Sequence, residues 1–165
     1  RYRSVSRGLG DVYKRQMRNW SRTVVLWNLA ADPLNDPHTD NGGCPSCQGA
    51  LTIDGDSATR NLAYYVIAHA SQFVRPGSVR IASTAPGDRT VTLGEDEQRP
   101  KVYRAQITEH ADVAPNAAFR TPDGKIVLIV ANDSWSRRSI SVQYNGRYAE
   151  LNLAPGATGT FVWDE

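Results

Sequence analysis

Two cysteines three positions apart, Cys44 and Cys47 around Pro45-Ser46, carry the most reactive side chains in this sequence. A C-x-x-C spacing serves zinc sites and thiol–disulfide exchange as well as plain local bridges. A structural zinc takes four ligands, yet the nearest further donor is His38 and no second cysteine pair exists. A thioredoxin-like pair opens a helix after a strand, whereas this one lies between Gly43 and Gly49 in loop-forming sequence. Structural loop cysteines are therefore the favoured reading, with metal and redox roles left open as weaker alternatives. If the two are bridged, the compartment is oxidising.

The second candidate pair is Trp27 and Asn28. Residues 23–27 form a short, unbroken, β-branched-rich apolar run, which predicts a strand buried on both faces, as in a parallel sheet covered by helices. At the C-terminal end of a barrel strand, side chains face the site mouth. An indole there suits stacking on the apolar face of a sugar ring, and an amide suits hydroxyl groups. The plainer alternative is a core Trp27 and a turn residue at Asn28. Asn41 is a third polar candidate, set against its own reading as a turn residue, in the Pro-, Asp-, Asn- and Gly-rich loop 32–49. His69 and His110 read as structural, because the sequence has no Gly-x-Ser-x-Gly elbow to accompany a catalytic histidine. No phosphate-cradling loop or dinucleotide fingerprint is present.

The elements that must position these residues follow from periodicity. Residues 49–54 predict a short strand. Residues 59–74 predict a helix, since Leu62, Val66, Ala70 and Phe73 recur on one face. Ser57 or Thr59 is the expected cap, Pro76-Gly77 the stop, and the preceding strand the expected packing partner. From Ser78 onward the texture changes to short strands at 79–83, 102–108, 117–121, 126–132, 139–144, 148–153 and 158–163. They are divided by Pro122-Asp123-Gly124, Asn145-Gly146 and Pro155-Gly156. Residues 86–100, with Glu95, Asp96 and Glu97, read as an exposed loop. The expected class is mainly β: an antiparallel β-sandwich preceded by one strand-loop-helix unit.

Composition agrees with a folded chain: 165 residues, 40% hydrophobic, with nine prolines and thirteen glycines. The formal charge of +2 is uneven. Residues 1–16 hold five basic residues and one acidic one, so the remainder carries 14 basic and 16 acidic residues, a net of −2. The basic start reads as translated adapter sequence rather than a nucleic-acid-binding arm, and no nucleic-acid partner is expected. No apolar run is long enough for a membrane span, and no signal-peptide pattern is evident.

Three stretches in fixed order, WNLAADP from Trp27, NGGCPSC from Asn41 and TRNLAYYVIAHASQFVRPGSVRIAS from Thr59, resemble the end of a glycoside hydrolase family 30 enzyme. That family includes glucosylceramidases and related β-glycosidases, built as a (β/α)8 barrel followed by a β-sandwich. The resemblance divides the chain into residues 1–16 as a non-native tail, 17–75 as the last barrel strand and helix, and 76–165 as the sandwich. It implies that Trp27 lines a sugar pocket with Asn28 beside it, that the loop bearing Asn41 contributes polar contacts, and that strands from the parent's N-terminal part complete the sandwich. It also implies retaining hydrolysis of a β-linked glycoside by two glutamates on other barrel strands, without a metal or cofactor, in a secreted or periplasmic parent. The five glutamates here are Glu95, Glu97, Glu109, Glu150 and Glu165, none in the barrel segment, and Asp32 and Asp54 read as turn residues. No catalytic residue is therefore expected in this chain, which reads as a piece of the enzyme whose missing barrel is its partner; the alternative is a stand-alone β-sandwich that binds carbohydrate through exposed aromatics such as Trp135, Tyr144 and Tyr148.

Overall fold

A computed structural model describes residues 21–26, 28–37, 46–84, 114–132 and 134–165, with Met17 and Asn41 and the backbone of 89–93 and 105–109. Among the described residues the architecture is mainly β with a ten-residue helix, as the sequence predicts. In chain order the elements are β1 (Ala30–Ala31), β2 (Leu51–Asp54), β3 (Ser57–Arg60), α1 (Leu62–Ser71), β4 (Val79–Ile81), β5 (Arg89–Leu93), β6 (Ala105–Glu109), β7 (Asn116–Arg120), β8 (Lys125–Ala131), β9 (Arg138–Tyr144), β10 (Arg147–Leu153) and β11 (Thr158–Asp164).

The sandwich is built round β8. An antiparallel sheet runs β11-β8-β7-β4, with Phe161 opposite Leu128 and Leu128 opposite Ala118. The β9–β10 hairpin lies over one face of this sheet. Ala118, Leu128 and Val130 meet Ile140, Val142 and Leu151 there. On the opposite face Phe119, Val127 and Ile129 meet Ala70, Phe73 and Val74 of the helical segment. A strand covered on both sides cannot alternate apolar with polar residues, which is why β8 reads KIVLIVA. Ile126, Val127, Ile129 and Val130 are each almost wholly buried, and each such side chain contributes about 1.5–3 kcal/mol through removal from water.

That two-sided burial was expected at 23–27 instead. Residues 23–26 form no strand, and Val25 is 90% exposed. Among the described residues of this segment the strand is β1, two residues long, which pairs in parallel with β2. An apolar run becomes a buried strand only where neighbours supply hydrogen bonds and covering side chains. Among the described residues, β8 has both kinds of neighbour, whereas residues 23–26 pair with no strand and leave Thr23 and Val25 exposed.

Three further expectations are corrected. Thr59 does not begin a helix: residues 57–60 pair with 51–54 in a hairpin turned at Gly55, whose φ of 55° suits glycine. The helix starts three residues later, after Asn61, and packs principally on the sandwich through the apolar cluster just described. The segment read as an exposed loop contains β5, because Thr90, Val91 and Thr92 are β-branched and pair with β6.

The helix is fastened to β11 by polar contacts as well. The Thr160 hydroxyl donates to the His69 carbonyl at 3.1 Å and lies 2.9 Å from His69 Nδ1. A hydroxyl has one proton, so with that proton on the carbonyl its oxygen accepts from Nδ1–H. The structural reading of His69 thus acquires a specific content, a clasp between helix and sheet.

Candidate functional site

The residues singled out for ligand contact lie in the unit that precedes the helix. Asn28 is half-buried. Its Oδ1 accepts the Ala30 N–H at 2.9 Å, the short local bond of an Asx turn. Its carbonyl accepts the Ala50 N–H at 3.0 Å, and the Leu29 carbonyl accepts the Leu51 N–H at 3.0 Å. These bonds fix the Asn28 backbone against β2, while the amide nitrogen of its side chain remains the group able to donate outward. Trp27 lies outside the described residues. Asn41 is exposed in a turn, so it is reachable by solvent or ligand.

Two residues that periodicity does not reveal hold this unit together. Gly49 passes so close to β1 that a Cβ built there would lie 2.8 Å from the Ala30 Cα, the Ala30 carbonyl carbon and the Ala31 nitrogen, so only glycine permits the crossing. Asn61 donates from Nδ2 to the Gly49 carbonyl at 2.9 Å and to Thr52 Oγ1 at 2.8 Å, and its N–H donates to the Ala50 carbonyl at 2.9 Å. Its side chain therefore ties β2 to the helix start instead of capping the helix. The available signal was its place, a lone amide between a polar strand and the first apolar residue of the helix.

The loop after β1 is internally braced. Asp32 Oδ1 accepts the Leu34 N–H at 2.8 Å and the Asp36 N–H at 2.9 Å. That is a turn carboxylate, in keeping with the structural reading of Asp32. Cys47 is half-buried and disulfide-bonded; Cys44 and His38 lie outside the described residues. No group of three or more potential metal ligands occurs among the described residues.

The remaining carboxylates with assigned partners serve the sandwich. Glu150 accepts the Ser139 hydroxyl across the hairpin, and Glu165 pairs with the Arg120 guanidinium and accepts the Tyr144 hydroxyl at 3.3 Å. The Glu165 hydrogen bond and charge hold the Arg120 guanidinium above its ordinary range. Asp123 is held below the ordinary carboxylate range, first by the Thr121 hydroxyl. Both groups lie in the sandwich and neither borders the Asn28 unit. Of the aromatic residues read as exposed sugar contacts, Trp135 is 67% and Tyr148 70% exposed. Tyr144 differs: it is half-buried, edge-on to Trp163 with ring centres 5.7 Å apart.

Residues 102–161 match the glycosyl hydrolase family 30 β-sandwich domain. Those residues run from β6 into β11, so the match falls within the sandwich. Among curated proteins, it is similar to endo-1,6-β-D-glucanase neg1 of Aspergillus fumigatus, 40% identical over 63 residues, which are 38% of this chain and 13% of that protein. It is also similar to endo-1,6-β-D-glucanase BGN16.3 of Trichoderma harzianum, 35% identical over 68 residues, 41% of this chain and 14% of that protein. The matches thus span about one-seventh of those relatives' length. Among solved structures, the endo-β1,6-glucanase BT3312 superposes on 98% of this chain at a TM-score of 0.69 and 24% identity, using 31% of its own length. SrfJ from Salmonella typhimurium does so at 0.66 and 21%, again over 98% of this chain and 32% of its own. These two likenesses bear on the fold alone: nearly the whole of this chain has a counterpart within about a third of a larger chain.

Proposed function

We infer that the chain is the supporting sandwich and one pocket wall of a retaining β-glycosidase, with the unit at 17–75 closing the catalytic barrel and the sandwich at 76–165 bracing it. The observation that carries this reading is the family 30 match over residues 102–161, within a fold whose full extent superposes on less than a third of BT3312. Both curated relatives are named as endo-1,6-β-D-glucanases, so a β-1,6-linked glucan is a better substrate proposal than glucosylceramide. In the whole protein, a glutamate nucleophile forms a covalent glycosyl-enzyme and a second glutamate serves as acid and then base. Trp27 and Asn28 are assigned the sugar wall and Asn41 a rim contact. The Cys47 disulfide braces the same loop, with Cys44 as its partner.

The surface of the N-terminal unit supports a larger partner. Val25, Leu29, Leu34, Leu62, Tyr65 and Ile67 are all exposed, and so large an apolar surface around one strand and helix suits burial against the rest of a barrel. The sandwich is open too. A cavity of about 590 Å³ lies between β7–β8 and the β9 strand, lined by Ile81, Asn116, Val142 and Trp163 among others. β9 pairs with β10 alone among the described strands, and the buried Asn116 Oδ1 has no hydrogen-bond partner. A further strand from the same parent, laid along β9, would fill that space.

The test compares this 165-residue chain with the product of the complete reading frame on β-1,6-linked glucan, following the anomeric configuration of first-formed product by NMR. The expected result is sugar release with retained configuration by the complete protein and none by the chain alone. Turnover by the purified chain, abolished by changing one of its own carboxylates, would overturn the reading. Inverted configuration would overturn the mechanism while leaving the family intact.

A further inference from the structure

Asn132 begins the triplet Asn132-Asp133-Ser134, the Asn-x-Ser pattern at which glycans are attached to secreted chains. Such acceptors ordinarily lie in surface loops. Asn132 is 0% exposed. Its Nδ2, the atom that would carry the sugar, donates to the carbonyls of Ser136, Leu153 and Ala154 at 2.8, 3.1 and 2.9 Å. The Ser134 hydroxyl, the other half of the acceptor pattern, donates to Asn132 Oδ1 at 2.6 Å. The parts that a transferase must engage are thus those that hold the β8–β9 connection to the end of β10.

We propose that Asn132-Asp133-Ser134 is a glycosylation acceptor closed by folding, so that a glycan on Asn132 and the native sandwich exclude one another. Transfer joins Nδ2 to C1 of an oligosaccharide carried on a lipid pyrophosphate; the lipid pyrophosphate departs and Nδ2 gives up one proton. The modified nitrogen keeps a single N–H where three carbonyls converge, and the sugar has to occupy space that protein atoms fill. A chain that meets the transferase before folding is therefore diverted from the native state, and one that folds first is immune. This depends on the local geometry of the loop and not on the glycosidase reading.

The test offers the whole chain to the enzyme at two stages. Translated behind a secretion signal into transferase-bearing microsomes, it meets the enzyme unfolded. Purified and folded, it meets detergent-solubilised transferase with lipid-linked oligosaccharide. Mass spectrometry of the tryptic peptide spanning residues 126–137 reads occupancy, and limited proteolysis reads folding. The expected result is glycan at Asn132 in the microsomal product, and modification of the folded chain slower by roughly a thousandfold or more, because only the transiently unfolded fraction reacts. The microsomal glycoform is expected to be protease-sensitive. Comparable modification of the folded chain, a protease-resistant glycoform at Asn132, or no modification of Asn132 in microsomes would each overturn the proposal.

Discussion

The side chain of Asn132 makes the densest set of polar contacts assigned in the sandwich, and its removal has a calculable consequence. Besides donating to three carbonyls, its Oδ1 accepts the Ser134 N–H at 3.1 Å, while the Asn132 N–H donates to the Ala157 carbonyl at 2.8 Å. Nδ2 has two hydrogens, so three contacts share two protons and count as roughly two bonds, each worth about 1 kcal/mol net. The Leu153 carbonyl is the fully buried acceptor of the three, and leaving it unpaired adds about 1–2 kcal/mol. Asn132→Ala is therefore expected to cost about 3–4 kcal/mol, a large part of the roughly 5–15 kcal/mol by which domains are stable. Urea unfolding followed by tryptophan fluorescence measures this directly, with a lower midpoint at unchanged slope. A loss under about 0.5 kcal/mol, the scale of a surface substitution, would refute the reasoning. Asn132→Asp separates hydrogen bonding from shape. The carboxylate is nearly isosteric but faces three carbonyl oxygens without a donor, so its folded-state pKa is raised and the protonated acid fits better. The folded variant then binds more protons than the unfolded one, so its stability falls as pH rises from the unfolded carboxyl value, about 3.9, through the folded value. An Asp variant more stable at pH 7 than at pH 4, relative to the parent chain, would also refute the account.

Ile129→Ala is expected to cost about 2–5 kcal/mol in the same urea assay, whereas Val25→Ser should fall within about 0.5 kcal/mol; the reverse ranking would mean that residues 23–26 carry the buried strand. Thr160→Val removes both contacts to His69 at nearly constant volume, and should cost about 1–2 kcal/mol with faster amide exchange in the helix than in β9–β10. Asp123→Asn should flatten the acid limb of stability: a depressed carboxyl contributes above its unfolded pKa, and that contribution is lost as pH falls through the folded value. Parallel pH profiles for variant and parent below pH 4 would show that Asp123 has no such part.

The later strands were legible because their ends are written in turn chemistry. Asn145 and Gly146 carry φ of 46° and 75° and join β9 to β10; Gly124 and Gly156, at 79° and 68°, serve the neighbouring turns. Residues able to adopt such angles are few, so each turn fixes the strands beside it. The N-terminal unit was less legible because the same apolar text supports more than one outcome. Thr23-Val24-Val25-Leu26 and Ile126-Val127-Leu128-Ile129 are alike in composition, yet the second is buried and the first is not. What separates them lies elsewhere in the chain: β7 and β11 flank the second run, and Phe73 and Ile140 lie on its two sides. Asp54-Gly55 marked a turn correctly, but residues 57–60 that follow, Ser-Ala-Thr-Arg, are all exposed and lack an apolar face. Their strand identity comes from backbone pairing with β2. Gly49 and Asn61 were invisible for a related reason, since close crossings and long-range amide bonds leave no periodic trace.

The helix links these two halves, and this bears on the supporting role proposed for the sandwich. Its start is tied to β2 and, through Gly49, to the segment bearing Asn28; its end shares a core with Phe119, Val127 and Ile129 and a clasp with Thr160. A helix of ten residues spans about 15 Å, so a displacement at the sandwich end is carried to the wall assigned to the sugar. An accessory module on a flexible linker would have polar surfaces facing the helix and a mobile connection. Here the Pro76-Gly77 turn leads directly into β4, which pairs with β7 in the sheet the helix covers. The sandwich and the segment bearing Asn28 are therefore joined through one rigid element, which is what the buttress role proposed above requires.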